Sequence, residues 1–340
     1  MSFRLNAAGV GTLFVVSLLF SADSRADYII DGGFTGTNRV RDDGTVVGQY
    51  FPPPAARALV ETADGGHVVT PDLSTVYQFT NSLGHSTHIF AYDVASRVYQ
   101  PDKLLHSGFH FPGGDENFII HPYMSLIRTN DPLGKGDLFT ISGNTGFLDS
   151  KPQIKRYNRG TDSYVETIDP PTDQSILDFG FGPDNRLYMA GQNGIFVYTE
   201  SATGFDLVSP TPLLGTLTGK LTFGADGRLY LLNSANGNVE RYTVGGAFVD
   251  TFVPAVGGYI NGSIQFGVDG NLHVLTSPIQ IRRFAGATGS PLGTTTFEEV
   301  SPSFQYGASG RIFYLSIPEP NSLLLAVVGA ALVLLRRRRT

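Results

Sequence analysis

An eight-residue pattern returns four times in the second half of this chain, and its spacing constrains the fold more than any other feature. The copies are Phe181-Gly182-Pro183-Asp184-Asn185-Arg186-Leu187-Tyr188, Phe223-Gly224-Ala225-Asp226-Gly227-Arg228-Leu229-Tyr230, Phe266-Gly267-Val268-Asp269-Gly270-Asn271-Leu272-His273 and Tyr306-Gly307-Ala308-Ser309-Gly310-Arg311-Ile312-Phe313. Their first aromatics stand 42, 43 and 40 residues apart. The stretch Leu221 to Val253 shows one full unit, four short apolar runs joined by three tight turns. The Asp-Gly pairs within the pattern suit hairpin turns, because Gly supplies a positive φ and Asp bonds its own turn.

A period near forty residues with four strands per unit is the signature of propeller blades. A second landmark supports it. The third run of each unit has the form apolar-x-x-aromatic: Ile154 to Tyr157, Ile195 to Tyr198, Val239 to Tyr242 and Ile281 to Phe284, with weaker copies at Ile89 to Tyr92 and Val40 to Asp43. Positions i and i+3 of a strand face opposite sides, which suits a sheet sandwiched between two others. Counting these third strands gives six. The first lacks a complete inner pair before it, since residues 27–37 offer one short strand candidate. The last inner pair, Ser303–Tyr306 and Arg311–Leu315, has nothing after it. Joining the two fragments removes an open sheet edge. The expectation is an all-β, six-bladed β-propeller over residues 27–316, closed by pairing N- and C-terminal strands. Its blades are 303–315 with 37–51, about 57–100, 118–168, 176–208, 219–253 and 262–297.

The two ends read as addresses. Residues 1–26 carry Arg4, an apolar run from Ala7 to Phe20, and Ser24-Arg25-Ala26, the small-residue pattern of a signal peptide cut by signal peptidase after Ala26. Residues 317–340 hold Pro318-Glu319-Pro320, apolar Leu323 to Leu335, then Arg336, Arg337, Arg338 and Arg339. Thirteen apolar residues make a helix of about 20 Å, short of a ~30 Å hydrocarbon core, with arginines able to snorkel to the interface. The arginines should stay cytoplasmic and Pro-Glu-Pro on the exported side. The whole chain has a net charge of −6, and the ends contribute Arg4, Arg25 and Arg336 to Arg339 against Asp23 and Glu319, so the body is more acidic still. An acidic body excludes nucleic acid as an expected partner. The chain has no Cys, which excludes disulfides, cysteine metal sites and thiol catalysis.

The tail resembles the PEP-CTERM sorting signal of Gram-negative bacteria in all three of its parts and their order. That resemblance implies processing by an exosortase-type enzyme, a transient stay in the inner membrane, and delivery to the outer envelope, cell surface or extracellular matrix. The body's repeats resemble NHL and gluconolactonase-like six-bladed propellers, most clearly over residues 176–297. The latter family places a Glu, an Asn and an Asp around a metal in the central channel. Glu61, Asp178, Asn261 and Asn233 are the residues weighed for that set, and each also suits a blade rim.

One interval breaks the period: Tyr92 to Tyr157 spans 65 residues. The excess falls between Gln100 and Lys135 and carries His106, His110, Asp115, Glu116, His121 and Asp131. A long loop in a compact ring is more often functional than decorative. His106, His110, Asp115, Glu116 and His121 are therefore the candidate binding loop, and neither a metal nor another cofactor is expected there. No Gly-x-Ser-x-Gly elbow, P-loop or dinucleotide fingerprint occurs. The reading is a non-catalytic surface or matrix propeller with a glycan or surface protein as ligand. The alternative is a periplasmic or surface lactonase or hydrolase with a metal in its channel.

Overall fold

In the computed structural model every regular element among the described residues is a β-strand. Those residues are 26–31, 37–51, 61–70, 74–82, 87–93, 96, 98–107, 125–127, 136–142, 153–161, 163–171, 174–215, 219–256, 263–267, 269–277, 280–297 and 313–316. The chain divides into a unit from Tyr28 to Tyr314 and a second unit made of residues 1–27 and 315–340. Of the second unit only Ala26, Asp27, Leu315 and Ser316 are described.

The described strands form six sheets, taken below in chain order. The first holds β1 (Ala26–Asp31), β2 (Thr37–Arg41) and β3 (Val46–Phe51). The second is β4 (Glu61–Val69), β5 (Thr75–Ser82), β6 (Thr87–Asp93) and β7 (Val98–Ser107). The third is β8 (Ser125–Ile127), β9 (Leu138–Ser142), β10 (Gln153–Asn158) and β11 (Ser163–Ile168). The fourth is β12 (Ile176–Phe181), β13 (Leu187–Gly191), β14 (Gly194–Glu200) and an outer edge split into β15 (Phe205–Leu207) and β16 (Leu214–Gly215), both paired with β14. The fifth is β17 (Gly219–Phe223), β18 (Leu229–Asn233), β19 (Val239–Tyr242) and β20 (Phe248–Val253). The sixth is β21 (Ile264–Phe266), β22 (Leu272–Ser277), β23 (Gln280–Phe284) and β24 (Pro291–Thr296). The last strand, β25 (Phe313–Ser316), joins the first sheet, whose order is β25-β1-β2-β3.

That order corrects the expected first blade. β1 enters the sheet between β25 and β2, so the short strand candidate of residues 27–37 takes a full place in the pairing. The reason is Tyr28, which is completely buried and bonds His273 in β22. Ser303–Tyr306 lies outside the described residues. The supposed excess after Gln100 is also shorter than expected, because β7 runs on to Ser107. The register shows why. Ala91 of β6 pairs with Gln100 and the adjacent Phe90 with Leu104, so β7 absorbs extra residues in bulges.

The repeats explain the packing. Strands β2, β6, β10, β14, β19 and β23 each stand third in their sheets. Ile154 and Tyr157, Ile195 and Tyr198, Val239 and Tyr242, and Ile281 and Phe284 are all buried, so both faces of these strands are covered. Successive sheets share apolar clusters: Val68 and Tyr77 with Leu138 and Tyr157, Phe139 and Ile154 with Phe179 and Met189, Tyr188 and Ile195 with Leu221 and Leu231, and Val239 and Phe252 with Ile264 and Val274. Each large side chain so buried contributes about 1.5–3 kcal/mol before entropy is subtracted. The body is an all-β propeller.

The Asp of each described copy does two jobs. Its carboxylate accepts from the backbone N–H two residues on, at Arg186, Arg228 and Asn271. It also accepts from the side chain four residues on, Tyr188 at 2.9 Å, Tyr230 at 3.1 Å and, through Nε2, His273 at 3.2 Å. Gly227 and Gly270 sit at φ 74° and 72°, and Asn185 takes the same left-handed place at φ 61°. The anchored tyrosines then meet the next sheet's inner phenylalanine edge-on, Tyr188 on Phe223 and Tyr230 on Phe266.

Candidate functional site

Strand direction sorts the connections onto two rims. The Asp-Gly turns join first to second strands and occupy one rim, where each described Asp is spent on turn geometry. The other rim collects the starts of β12 and β17, the ends of β13 and β18, and the turns into β14 and β19: Ile176 pairs with Gly191, and Gly219 with Asn233. Its loops differ from unit to unit, as binding loops on a rigid scaffold do.

The chemistry-bearing side chains on this rim are buried and tied to neighbouring strands. Asp178 is 2% exposed. Its Oδ1 accepts from its neighbour Phe179 N–H and its Oδ2 from Leu221 N–H of β17 at 2.8 Å. Lys220 answers by donating Nζ to the Leu177 carbonyl of β12 at 2.7 Å. The pair clamps two inner strands to each other where otherwise strand-edge groups would lack partners. Asn233 is 3% exposed; its Nδ2 donates to both Glu240 oxygens and its Oδ1 accepts from Ala235 N–H. Glu240 also accepts from Asn236 Nδ2 at 3.1 Å and Tyr242 Oη at 2.6 Å. Burial first, and then Glu240, push the Tyr242 phenol well above its ordinary range, so it remains a donor. Gln174 accepts Asn193 N–H at its Oε1 and packs against Gly191, where a Cβ would stand 2.5 Å from that oxygen.

These placements bear on the expected channel set. Asp178 and Asn233 are buried and spend their polar atoms on ties to backbone and Glu240. Glu61 opens β4 opposite Ser82, and Asn261 lies outside the described residues. Of the candidate binding loop, His106 is in β7 opposite Ile89, at the end of the second sheet that leads into the loop. His110, Asp115, Glu116 and His121 lie outside the described residues, as do Pro318, Glu319, Pro320 and Arg336 to Arg339. Among the described residues no three of His, Cys, Asp and Glu converge to hold a metal ion, and no helix is long and apolar enough to cross a membrane.

Sequence reasoning missed Lys220, Glu240 and Gln174. Aligning the repeats on their inner aromatics reveals part of the signal. The position three residues before Phe181, Phe223 and Phe266 holds Asp178, Lys220 and Ser263, a polar column at the start of the innermost strands, and all three are buried.

No protein-family model and no curated protein matches the sequence. Solved structures do match the fold. A protein from Lactobacillus plantarum aligns over 80% of this chain and 82% of its own, at TM-score 0.51 and 14% identity. A protein of unknown function from Desulfotomaculum acetoxidans covers 79% of each chain at TM-score 0.50 and 12% identity. The periplasmic gluconolactonase of Pseudomonas aeruginosa aligns over 86% of this chain and 100% of its own, at TM-score 0.47 and 14% identity. At such identities the likeness is one of fold, and fold does not carry function with it.

Proposed function

We propose that this chain is an exported six-bladed propeller, closed by sharing one blade between its two ends, that binds a ligand on its variable rim without transforming it. The observation that supports this reading is the fate of Asp178 and Asn233. They are the described side chains best suited to a channel metal, and both are buried in ties between strands. A catalytic carboxylate must instead present lone pairs to a substrate or metal. The binding surface in this reading is drawn from the segment after β7, with His106, His110, Asp115, Glu116 and His121, and from the turns at Gln192-Asn193 and Ser234 to Gly237. A glycan or a surface protein is the ligand class, since the acidic body disfavours nucleic acid. The test is a glycan array probed with the full chain in mild detergent, run beside a lactone-hydrolysis assay with and without divalent metal. Glycan binding that disappears when residues 108–124 are replaced by a Gly-Ser linker is the expected result. Metal-dependent lactone turnover would overturn it in favour of the enzyme.

The ends fit the same reading. Signal peptidase would release residues 1–26, and an exosortase-type enzyme would act at Pro318-Glu319-Pro320 while Leu323 to Leu335 holds the precursor transiently in the inner membrane. Prolines favour extended backbone on sequence grounds, the form a processing enzyme can grip. Arg336 to Arg339 resist passage through the bilayer, since each costs about 2.5–3.5 kcal/mol at its centre on insertion scales. Mass spectrometry of the mature protein from its native cell checks this. A product lacking residues 323–340 is expected; a mature chain still carrying them would leave an ordinary tail anchor.

A further inference from the structure

The contact between the sixth sheet and the first differs in chemistry from the regular contacts beside it. Where the fourth sheet meets the fifth, and the fifth the sixth, a tyrosine packs on a phenylalanine: Tyr188 on Phe223 with ring centroids 5.0 Å apart, Tyr230 on Phe266 at 4.8 Å. In β22 the same position of the repeat is His273. Its Nδ1 lies 3.2 Å from the hydroxyl of Tyr28 in β1, across 245 residues of sequence, and the rings meet edge-on at 5.7 Å. Its Nε2 lies 3.2 Å from Asp269 Oδ1. Tyr28 is fully buried and His273 is 1% exposed. One neutral tautomer satisfies both contacts: Nε2–H donates to Asp269, and Nδ1 accepts the Tyr28 hydroxyl proton.

We propose that Asp269, His273 and Tyr28 form a proton-operated latch at the seam where the two ends of the chain share a sheet, holding β1 against β22 at neutral pH and releasing it in mild acid. The charged imidazole is the poorer fit for two reasons. Its site is dry, and protonated Nδ1 turns from acceptor to donor, so the Tyr28 hydroxyl must swing its own proton elsewhere. Among the described residues the titratable and charged groups facing the ring are Asp269 on the turn before β22, Tyr28 in β1 and Arg283 in β23. Asp42 stands beyond Arg283 at 3.9 Å. Desolvation is the largest influence and lowers the imidazole pKa from 6.5; Arg283 acts in the same direction and Asp269 opposes it. A histidine with a lowered folded pKa leaves stability intact above about 6.5 and removes it as pH falls toward the folded value. Besides the Arg283–Asp42 ion pair at 3.9 Å, two uncharged ties cross this seam. Thr295 Oγ1 donates to the Asp42 carbonyl at 2.6 Å, and Gly44 lies against the Thr296 carbonyl with no room for a Cβ. Neither involves an ionisable side chain.

The experiment is hydrogen exchange by mass spectrometry on the full chain in mild detergent, at pH 7.5 and 5.0, with rates normalised to intrinsic exchange. Protection of β1 and β22 is expected to fall by about tenfold or more at pH 5.0 while β13 and β18 hold theirs. His273→Tyr installs the residue found at 188 and 230, and it should keep the neutral-pH protection and lose the acid response. Tyr28→Phe keeps the ring without its hydroxyl, and should lower protection of β1 at pH 7.5 and flatten the response. An acid loss spread evenly over all sheets, or a response that survives in His273→Tyr, overturns the latch.

Discussion

Arg156→Ala is expected to destabilise the body by about 3–5 kcal/mol, the range for removing one partner of a buried ionic cluster. Arg156 is 6% exposed in β10. Its Nε bonds Asp137 at 2.6 Å, Nη1 meets Glu166 at 2.9 Å and Nη2 meets Glu200 of β14 at 3.0 Å. The guanidinium also lies over the rings of Phe139 and Phe205. Burial works against its charge, but the bonds to Glu166 and Asp137 and the field of Glu200 outweigh it, and its pKa is raised. Taking it away leaves three carboxylates facing one another across the third and fourth sheets, one of them with a buried Oδ1 that already lacks a partner, that of Asp137. Arg156→Lys should recover little, because an ammonium cannot serve three carboxylates in the fixed fork of a guanidinium. Urea unfolding measures the difference. A loss under about 1 kcal/mol would mean the cluster behaves like an exposed surface pair.

A chain ending at Val300 is expected to lose cooperative unfolding, where one ending at Ile317 keeps it. The shorter chain lacks β25 and so strips the neighbour from β1, exposing the edge of the sheet that also carries Tyr28. Where sheets brace only their neighbours, one opened sheet weakens the packing on both of its faces. Differential scanning calorimetry of the two truncations decides it. Equal melting temperatures would separate β25 from the stability of the body.

Much of the fold was legible because the repeat states it repeatedly. The apolar-x-x-aromatic rule marked five of the six third strands in full, because burial on both faces leaves a mark at i and i+3; at Val40 only the apolar half is present, since Asp43 lies past the end of β2. The double role of the Asp in each turn was half legible. Its bond to the turn follows from Asp-Gly chemistry, but its bond to the side chain four residues on does not. A comparison of copies holds that hint: the fourth has Ser309 and Phe313, losing carboxylate and donor together. β1 was underestimated because its partner lies in another sheet, and nothing local announces a contact across 245 residues. The extent of β7 was misjudged because bulges consume sequence without changing the pattern. The tie between Asp178 and Lys220 was hidden because each bonds the other strand's backbone, which no side-chain spacing records.

The sharing of the first sheet between β1 and β25 has a consequence for the chain in time. Synthesis proceeds at roughly 5–20 residues per second, so β1 is made on the order of 15–60 s before β25 exists to pair with it. Through that interval the β1–β2–β3 segment is an unfinished edge in a crowded setting. The strand left open is β1, and its composition is suited to waiting: Asp27 and Asp31 bracket the apolar Tyr28, Ile29 and Ile30. Charges on a provisional edge discourage pairing with the wrong chain. The carboxylates at the two ends of β1 thus help to keep it solitary until its last strand arrives.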